Sequence, residues 1–336
     1  MLRFMLQDPS GAVMNVLSHP SSDASETFKT GGAKYGNLGS MIDFEKASQF
    51  LDAHARLIER RRFDLLFGDG KADAAVAALA GHANADGGFG WSLHPDLRSR
   101  SSQPVAAIHA LELLEEIAPL TSPLAASLCD WLDGASLDDG GLPFGLPAAD
   151  MSGSAPMWAD SDPSESSLLI TSAVAGLAHR VAEHDPALGE HRWLARATEY
   201  CLARIADMEE ASMAIEFRFA LQLLDTLHGT DDRAAGELER LGAFLPASGT
   251  MPVPGGAQGE RMRPLDFSPE PGRPLRALFD AKVIADDLDQ LEAEQSPEGG
   301  WDVDFTTYSP AAALEWRGEA TVRTLKILRA NGRLDR

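Results

Sequence analysis

Asn84-Ala85-Asp86-Gly87-Gly88-Phe89-Gly90-Trp91 returns in altered form as Leu137-Asp138-Asp139-Gly140-Gly141-Leu142-Pro143-Phe144, and again as Pro297-Glu298-Gly299-Gly300-Trp301-Asp302. Each copy places an acidic residue before paired glycines and a large apolar residue soon after. Ala247-Ser248-Gly249-Thr250-Met251-Pro252 is a degenerate fourth. Paired glycines after a helix can take left-handed dihedrals and turn the chain sharply, and the apolar residue can then pack back on the helix just left. Gly87, Gly140, Gly249 and Gly299 are separated by 53, 109 and 50 residues, so the middle gap holds two units and the period is near fifty. Residues 41–336 accommodate about six such units, each a helical hairpin.

Outward from these turns the hydrophobic period is helical. Phe44, Ala47, Phe50, Leu51, His54, Leu57 and Ile58 make one apolar face. The same pattern predicts helices over Ala72–Ala83, Val105–Ile117, Leu124–Leu132, Leu168–Val181, Trp193–Ile205, Met213–Leu227, Ala234–Leu245, Leu275–Leu291 and Ala311–Leu328. Two-residue alternation rich in Val, Ile and Thr is missing, so the fold class is all-α, without strands. Residues 1–40 lack this order. Thr30–Ser40 holds four glycines in eleven residues and reads as a flexible linker. The expected organisation is a leader over 1–40 followed by a single helical domain over 41–336.

Charge bounds the partners. The 336 residues carry 29 Lys+Arg against 51 Asp+Glu, a net charge of −22, which disfavours nucleic acid and anionic membrane surfaces. No run approaches a membrane span, and Met1–Leu6 is broken at once by Gln7-Asp8-Pro9, so it does not read as a secretory signal. The two cysteines, Cys129 and Cys201, are too few for a disulfide framework or a Cys-rich zinc site, which suits a cytoplasmic protein. Neither a metal nor a cofactor is expected.

Gln295-Ser296-Pro297-Glu298-Gly299-Gly300-Trp301 reads Gln-x-x-x-Gly-x-Trp and resembles the QW repeat of squalene–hopene and related triterpene cyclases. Asp86-Gly87-Gly88-Phe89-Gly90 is similar to the Gly-Gly-Phe repeats of protein prenyltransferase β subunits. The resemblance implies an (α/α)6 toroid, six inner helices ringed by six outer ones. The chain departs from those families at their chemistry. The Asp-x-Asp-Asp acid of the cyclases is absent, the nearest strings being Asp160-Ser161-Asp162-Pro163 and Asp302-Val303-Asp304-Phe305. Asp286-Asp287-Leu288-Asp289 is not the metal-binding Asp-Asp-x-x-Asp, and neither cysteine has an Asp two residues before it, as the prenyltransferase zinc site requires.

In the implied fold each Gly-Gly turn leads into a loop that delivers the chain to an inner helix, and loops on a rigid scaffold are where function concentrates. The first loop offers His94, Asp96, Arg98 and Gln103. In the second, Asp162, Pro163 and Glu165 form a capping-box arrangement at a helix start, whereas Asp160 beside Trp158 is an acid that an apolar wall could desolvate. The third carries Trp301, Asp302, Asp304 and Tyr308, then Glu315-Trp316-Arg317 within a helix opened by Ser309-Pro310. Arg218, between Phe217 and Phe219, suits a diphosphate or carboxylate head group. Arg60-Arg61-Arg62 reads as a solvated face, and His54, His109 and His179 as core or boundary histidines.

The expected activity is that of a small-molecule enzyme enclosing an apolar, isoprenoid-type substrate. Asp160, Asp302, Asp304 and Glu315 are the candidate acids. Asp96, Arg98, Gln103, Trp158, Trp301, Tyr308, Trp316 and Arg317 are the candidate binding residues, with the aromatics stabilising a cation. The alternatives are a non-catalytic lipid or metabolite carrier and a carbohydrate-active toroid.

Overall fold

The computed structural model describes residues 42–335; the expected leader over 1–40 lies outside the described residues. The described chain is built almost entirely of helices: α1 (Phe44–His54), α2 (Leu57–Phe67), α3 (Ala72–Ala80), α4 (Ala106–Glu116), α5 (Pro123–Ala135), α6 (Pro156–Ala159), α7 (Leu168–Ala182), α8 (Pro186–Gly189), α9 (Arg192–Ala206), α10 (Ala214–Leu227), α11 (Asp232–Gly242), α12 (Pro264–Phe267), α13 (Ala281–Ala293) and α14 (Pro310–Ala330). A two-residue antiparallel ribbon, β1 (Met251–Pro252) with β2 (Arg261–Met262), is an addition to the strand-free expectation.

The helices divide by what surrounds them. Helix α9 is amphipathic, burying Trp193, Leu194, Ala197, Cys201 and Ile205 and leaving its arginines outside. Helices α4 and α7 are buried nearly all round. Small residues on α7 let α10 approach closely, with the Cβ position of Gly176 3.6 Å from the Leu223 Cα. Helix α2 touches α4, α4 touches α7, α7 touches α10, α10 touches α12, and α14 returns to α1 and α2.

The glycine turns explain this order. Asn84 N donates to Gly88 O, Leu137 N to Gly141 O and Ser296 N to Gly300 O, so the three copies share one geometry. Gly87, Gly140, Gly249 and Gly299 all take positive φ, from 66° to 103°. Each turn also seats on another helix of the chain. A Cβ on Gly87 would stand 2.5 Å from Ser127 O of α5, and one on Gly140 2.8 Å from Arg196 O of α9. One on Gly249 would stand 3.1 Å from Val283 of α13, and one on Gly299 2.2 Å from Lys46 O of α1. The last turn therefore docks on the first helix as the others dock on their successors. Gln295 reinforces that seam, accepting from Asp43 N (2.8 Å) and donating to Asp43 O (2.9 Å).

Three local expectations are corrected. The first apolar stripe is two helices, α1 and α2, because Arg56 is extended (ψ 163°) and starts α2 with no side-chain cap. The Asp162 string does not start a helix. Asp162 accepts from Ser164 N (2.8 Å) in a local turn, and α7 begins five residues later under Ser167, which accepts from Ile170 N. Leu275 lies in a separate 3-10 turn, Pro274–Leu278, ahead of α13.

Candidate functional site

A cavity of about 310 Å³ lies between α2, α4, α7, α10, α12 and α14. Its lining runs along α4 from Ile108 in the first turn through Glu112, and reaches the last turns of α4, α7, α10 and α14 at Glu115, Arg180, Thr226 and Arg329. Apolar wall comes from Ala173, Leu177, Phe219, Phe267 and Ile327. Charge dominates the remainder, against the expectation of an aromatic chamber.

Most of that charge is tied between helices. Arg62 of α2 is buried and grips Glu116 of α4 through Nε and Nη2, both at 2.8 Å, with Glu112 3.7 Å from Nη1. This overturns the reading of Arg60-Arg61-Arg62 as a solvated face; of the three, Arg61 alone is exposed. Lys326 reaches Glu116 at 3.3 Å, Arg180 bridges Glu115 and Glu270 at 2.5 and 2.7 Å, Arg273 holds Asp225 at 2.9 Å, and Arg323 holds Asp266 at 2.6 Å. Paired in this way, buried charges are tolerated, since each loses water but gains a partner.

Arg218, Glu319 and Arg329 on the same cavity have no ion-pair partner among the described residues, Arg329 instead donating to Leu66 O and lying 4.4 Å over the Phe67 ring. The Arg218 Nε is buried without a hydrogen bond, Nη1 reaches the Met262 sulfur at 4.0 Å, and the guanidinium lies 4.2 Å over the Phe219 ring. Burial, then the neighbouring Arg323, push its pKa down to about 10, which leaves it cationic at neutral pH. Glu319 of α14 is buried and makes no hydrogen bond or ion pair among the described residues. Burial, then the Glu112 carboxylate, raise its pKa, against the opposing pull of Arg323, Arg62 and His109. For Glu112 burial also works upward, but the His109 hydrogen bond and the charges of His109, Arg62 and Lys326 outweigh it and hold the carboxyl low. Two carboxyls on one cavity thus have surroundings that push them apart, the pattern of an acid and a base.

The residues expected from the loops are elsewhere. None of them lines the cavity. Several converge into a packed plug around the His94 ring, which lies 5.2 Å from Trp158, 5.2 Å from Trp316 and 5.3 Å from His109. Asp96 is buried there, accepting from Trp316 Nε1 at 2.7 Å, and Phe144 stacks on Trp158 at 4.6 Å. Arg98 pairs with Glu315 at 2.5 Å and Arg56 approaches the same carboxylate at 3.9 Å, so Glu315 belongs to an ion pair between a loop and α14. Gln103 holds the Leu146 backbone in both directions at 2.9 Å, stitching two loops together. Tyr308 is exposed, its backbone N 3.5 Å from Asp96 Oδ1. The loop end is therefore a structural closure around buried rings, and the cavity extends toward the opposite ends of its helices.

The remaining candidates are scattered. Asp160 is exposed and its backbone N ends α6, so the wall of Trp158 does not desolvate it. Asp302 is exposed and paired with Arg317 at 2.6 Å, and Asp304 is exposed. Arg317 lies 4.7 Å over the Phe50 ring and also reaches Glu298, securing the last repeat to α1. Trp301 is buried and donates Nε1 to Leu291 O at 2.8 Å, so it packs on the helix before it and contacts no cavity. Of the histidines, His54 is exposed, His179 bonds Thr198 at 2.8 Å and His109 contacts Glu112 at 3.3 Å.

Sequence reasoning singled out Arg218, placed Arg62 on a solvated face and passed over Glu112 and Glu319. A signal was present: Glu112 and Glu116 on α4, and Glu319, Arg323 and Lys326 on α14, recur at three- and four-residue spacing within otherwise buried helices. Among the described residues no group of three or more His, Cys, Asp and Glu could hold a metal ion, and no helix is long and apolar enough to cross a membrane. No protein-family model and no curated protein matches this sequence.

Proposed function

We infer that the chain closes as a single (α/α)6 toroid of the terpenoid-cyclase and prenyltransferase type, and that it is an enzyme taking a small, partly apolar substrate with an anionic head into the central cavity. The observation that carries this reading is the presence, on a cavity that six helices surround, of Arg218, whose Nε is buried without a hydrogen bond, and of the buried Glu319, neither with an ion-pair partner among the described residues. A buried guanidinium without a carboxylate is costly unless a ligand supplies the anion, and its planar fork fits a phosphate or carboxylate. The apolar wall around Phe219, Phe267 and Ile327 accepts a short hydrocarbon body. Glu319 is the acid, in the role first expected of Asp160, Asp302 and Asp304 on the loops. A cavity of about 310 Å³ is at the small end of ligand sites, which favours a short chain over a triterpene.

The test is calorimetric titration with isopentenyl and geranyl diphosphate and with the corresponding alcohols, on wild type and Arg218→Met. A charge-assisted hydrogen bond contributes about 1.5–3 kcal/mol, so the diphosphates should bind roughly tenfold to a hundredfold tighter than the alcohols, and Arg218→Met should erase the difference. Equal binding of alcohol and diphosphate, or undiminished diphosphate binding by Arg218→Met, sinks the reading. Tight binding with the ligand recovered unchanged would make the protein a carrier.

A further inference from the structure

We propose that residues 268–273, the loop between α12 and the 3-10 turn, form a hinged flap through which the cavity is entered, latched by the Arg180–Glu270 ion pair. The inference concerns access to the cavity and holds whatever ligand the cavity takes.

The plug around His94 packs the loop end with buried rings, and the cavity extends toward the last turns of α4, α7, α10 and α14. There Ser268, Pro269, Glu270 and Arg273 line it. On the same loop Pro271 and Gly272 are exposed, so one thickness of chain separates the cavity from solvent at this place.

The loop is anchored firmly at both ends and weakly between them. On the α12 side, Ser268 is buried and its carbonyl accepts from Arg276 Nη2 at 2.5 Å, while Asn331, at the end of α14, donates to Pro269 O at 2.8 Å. On the other side, Asp225 of α10 accepts from Arg273 Nε at 2.9 Å and from Leu275 N at 2.7 Å. Between these anchors, among the described residues, one bond holds residues 270–272: the Glu270 carboxylate accepts from Arg180 Nη2 at 2.7 Å.

The tip has the sequence of a stiff piece on a pivot. Pro269 and Pro271 fix φ on either side of Glu270 and restrict Glu270 itself to extended backbone. Gly272 takes φ 77° with nothing within 4 Å of its Cβ position, so the chain can rotate there without collision. Hinges are a few loop residues of this kind that absorb a dihedral change. Releasing the latch also strands no buried charge. Arg180 keeps Glu115 at 2.5 Å, and the Glu270 side chain, already 34% exposed, passes into water. A part-exposed pair is weak enough to open often.

The test measures access without any ligand. Ala173 lines the cavity from α7, about 10 Å along the helix before Arg180, and Ala173→Cys places a thiol inside. Its reaction with N-ethylmaleimide, a small neutral reagent, is followed by mass spectrometry of the full chain with and without Glu270→Ala. Removing the latch should raise the labelling rate about two- to fivefold. Added salt should raise the rate in the protein that keeps Glu270 and leave the Glu270→Ala rate unmoved. Cys129 and Cys201, buried outside the cavity, report global opening and should stay unlabelled in both. Equal rates with and without Glu270, a rate that ignores salt, or labelling of all three thiols in step overturns the flap. Circular dichroism and the denaturant midpoint show that each variant is folded. Failure of the flap leaves anion binding by Arg218 untouched, and failure of diphosphate binding leaves the labelling result standing.

Discussion

Replacing Gly299 by alanine tests the seating of the last glycine turn on α1. Gly299 sits at φ 103°, where an L-residue is strained by about 1–2 kcal/mol. Its new Cβ would also stand 2.2 Å from Lys46 O and 2.3 Å from Lys46 C, backbone atoms of α1 that cannot rotate away. Overpacking of that kind costs about 1–3 kcal/mol, so the total is about 2–5 kcal/mol. That is a large share of the 5–15 kcal/mol typical of a folded domain. Gly236→Ala is the matched control. It lies inside α11 with nothing within 4 Å of the added carbon, and should stabilise by about 0.5–1 kcal/mol. Urea unfolding of the three proteins, followed by helical circular dichroism and compared at equal slope, reads both values. A Gly299→Ala cost below about 1 kcal/mol would falsify the seating of the last turn on the first helix.

Other perturbations probe the interior. Arg62→Met leaves Glu116 buried with only the more distant Lys326, and breaking such a pair from one side should cost about 3–5 kcal/mol in the same urea assay. A double variant, Arg62→Met with Glu116→Met, should recover most of that loss; no recovery would mean that the arginine matters through packing. His179 is held neutral by burial, its pKa lowered from 6.5 to about 4. A folded pKa below the unfolded one contributes stability that is present above pH 6.5 and is lost as pH falls toward 4, by at most about 3 kcal/mol. The loss should be visible as a falling urea midpoint over that window and flattened in His179→Gln. An unchanged pH profile in that variant would remove His179 from the acid response. Arg218→Met should leave thermal stability equal or higher, because a buried, unpaired cation is replaced by an apolar side chain. A sharply destabilised variant would show that the guanidinium serves the scaffold.

The interior distributes charge in a way that composition conceals. The chain as a whole is strongly acidic, with a net charge of −22, yet Arg62, Arg180, Arg218, Arg273, Arg323 and Lys326 are gathered around one cavity. Most are neutralised by carboxylates from a neighbouring helix, so the helices around the cavity are held by ion pairs as well as by apolar contact. In a setting of low dielectric, Arg218, left without a carboxylate, has a stronger hold on an anion than a surface arginine would.

The helical period, the glycine turns and the repeat spacing were legible in the chain itself because they depend on neighbours within a few residues. An apolar stripe reports a helix, and a Gly-Gly pair after it reports a backbone that must pass through positive φ, as Gly87, Gly140 and Gly299 do. The function of the charged residues was not legible, because it depends on partners far along the chain. Glu315 and Arg98, 217 residues apart, form one ion pair, and Trp316 donates to Asp96 across 220 residues. Asp302, a candidate acid, and Asp96, a candidate binding residue, are both acids in loops that carry aromatics, yet one is exposed beside Arg317 and the other is buried beneath an indole. Glu319 drew no reading from the sequence; it is buried on α14, which packs against α2, with no ion-pair partner among the described residues. Sequence by itself determined where the chain must turn and which stripes must be buried; tertiary structure alone decided which charges meet, because ion pairing and desolvation are properties of spatial neighbours.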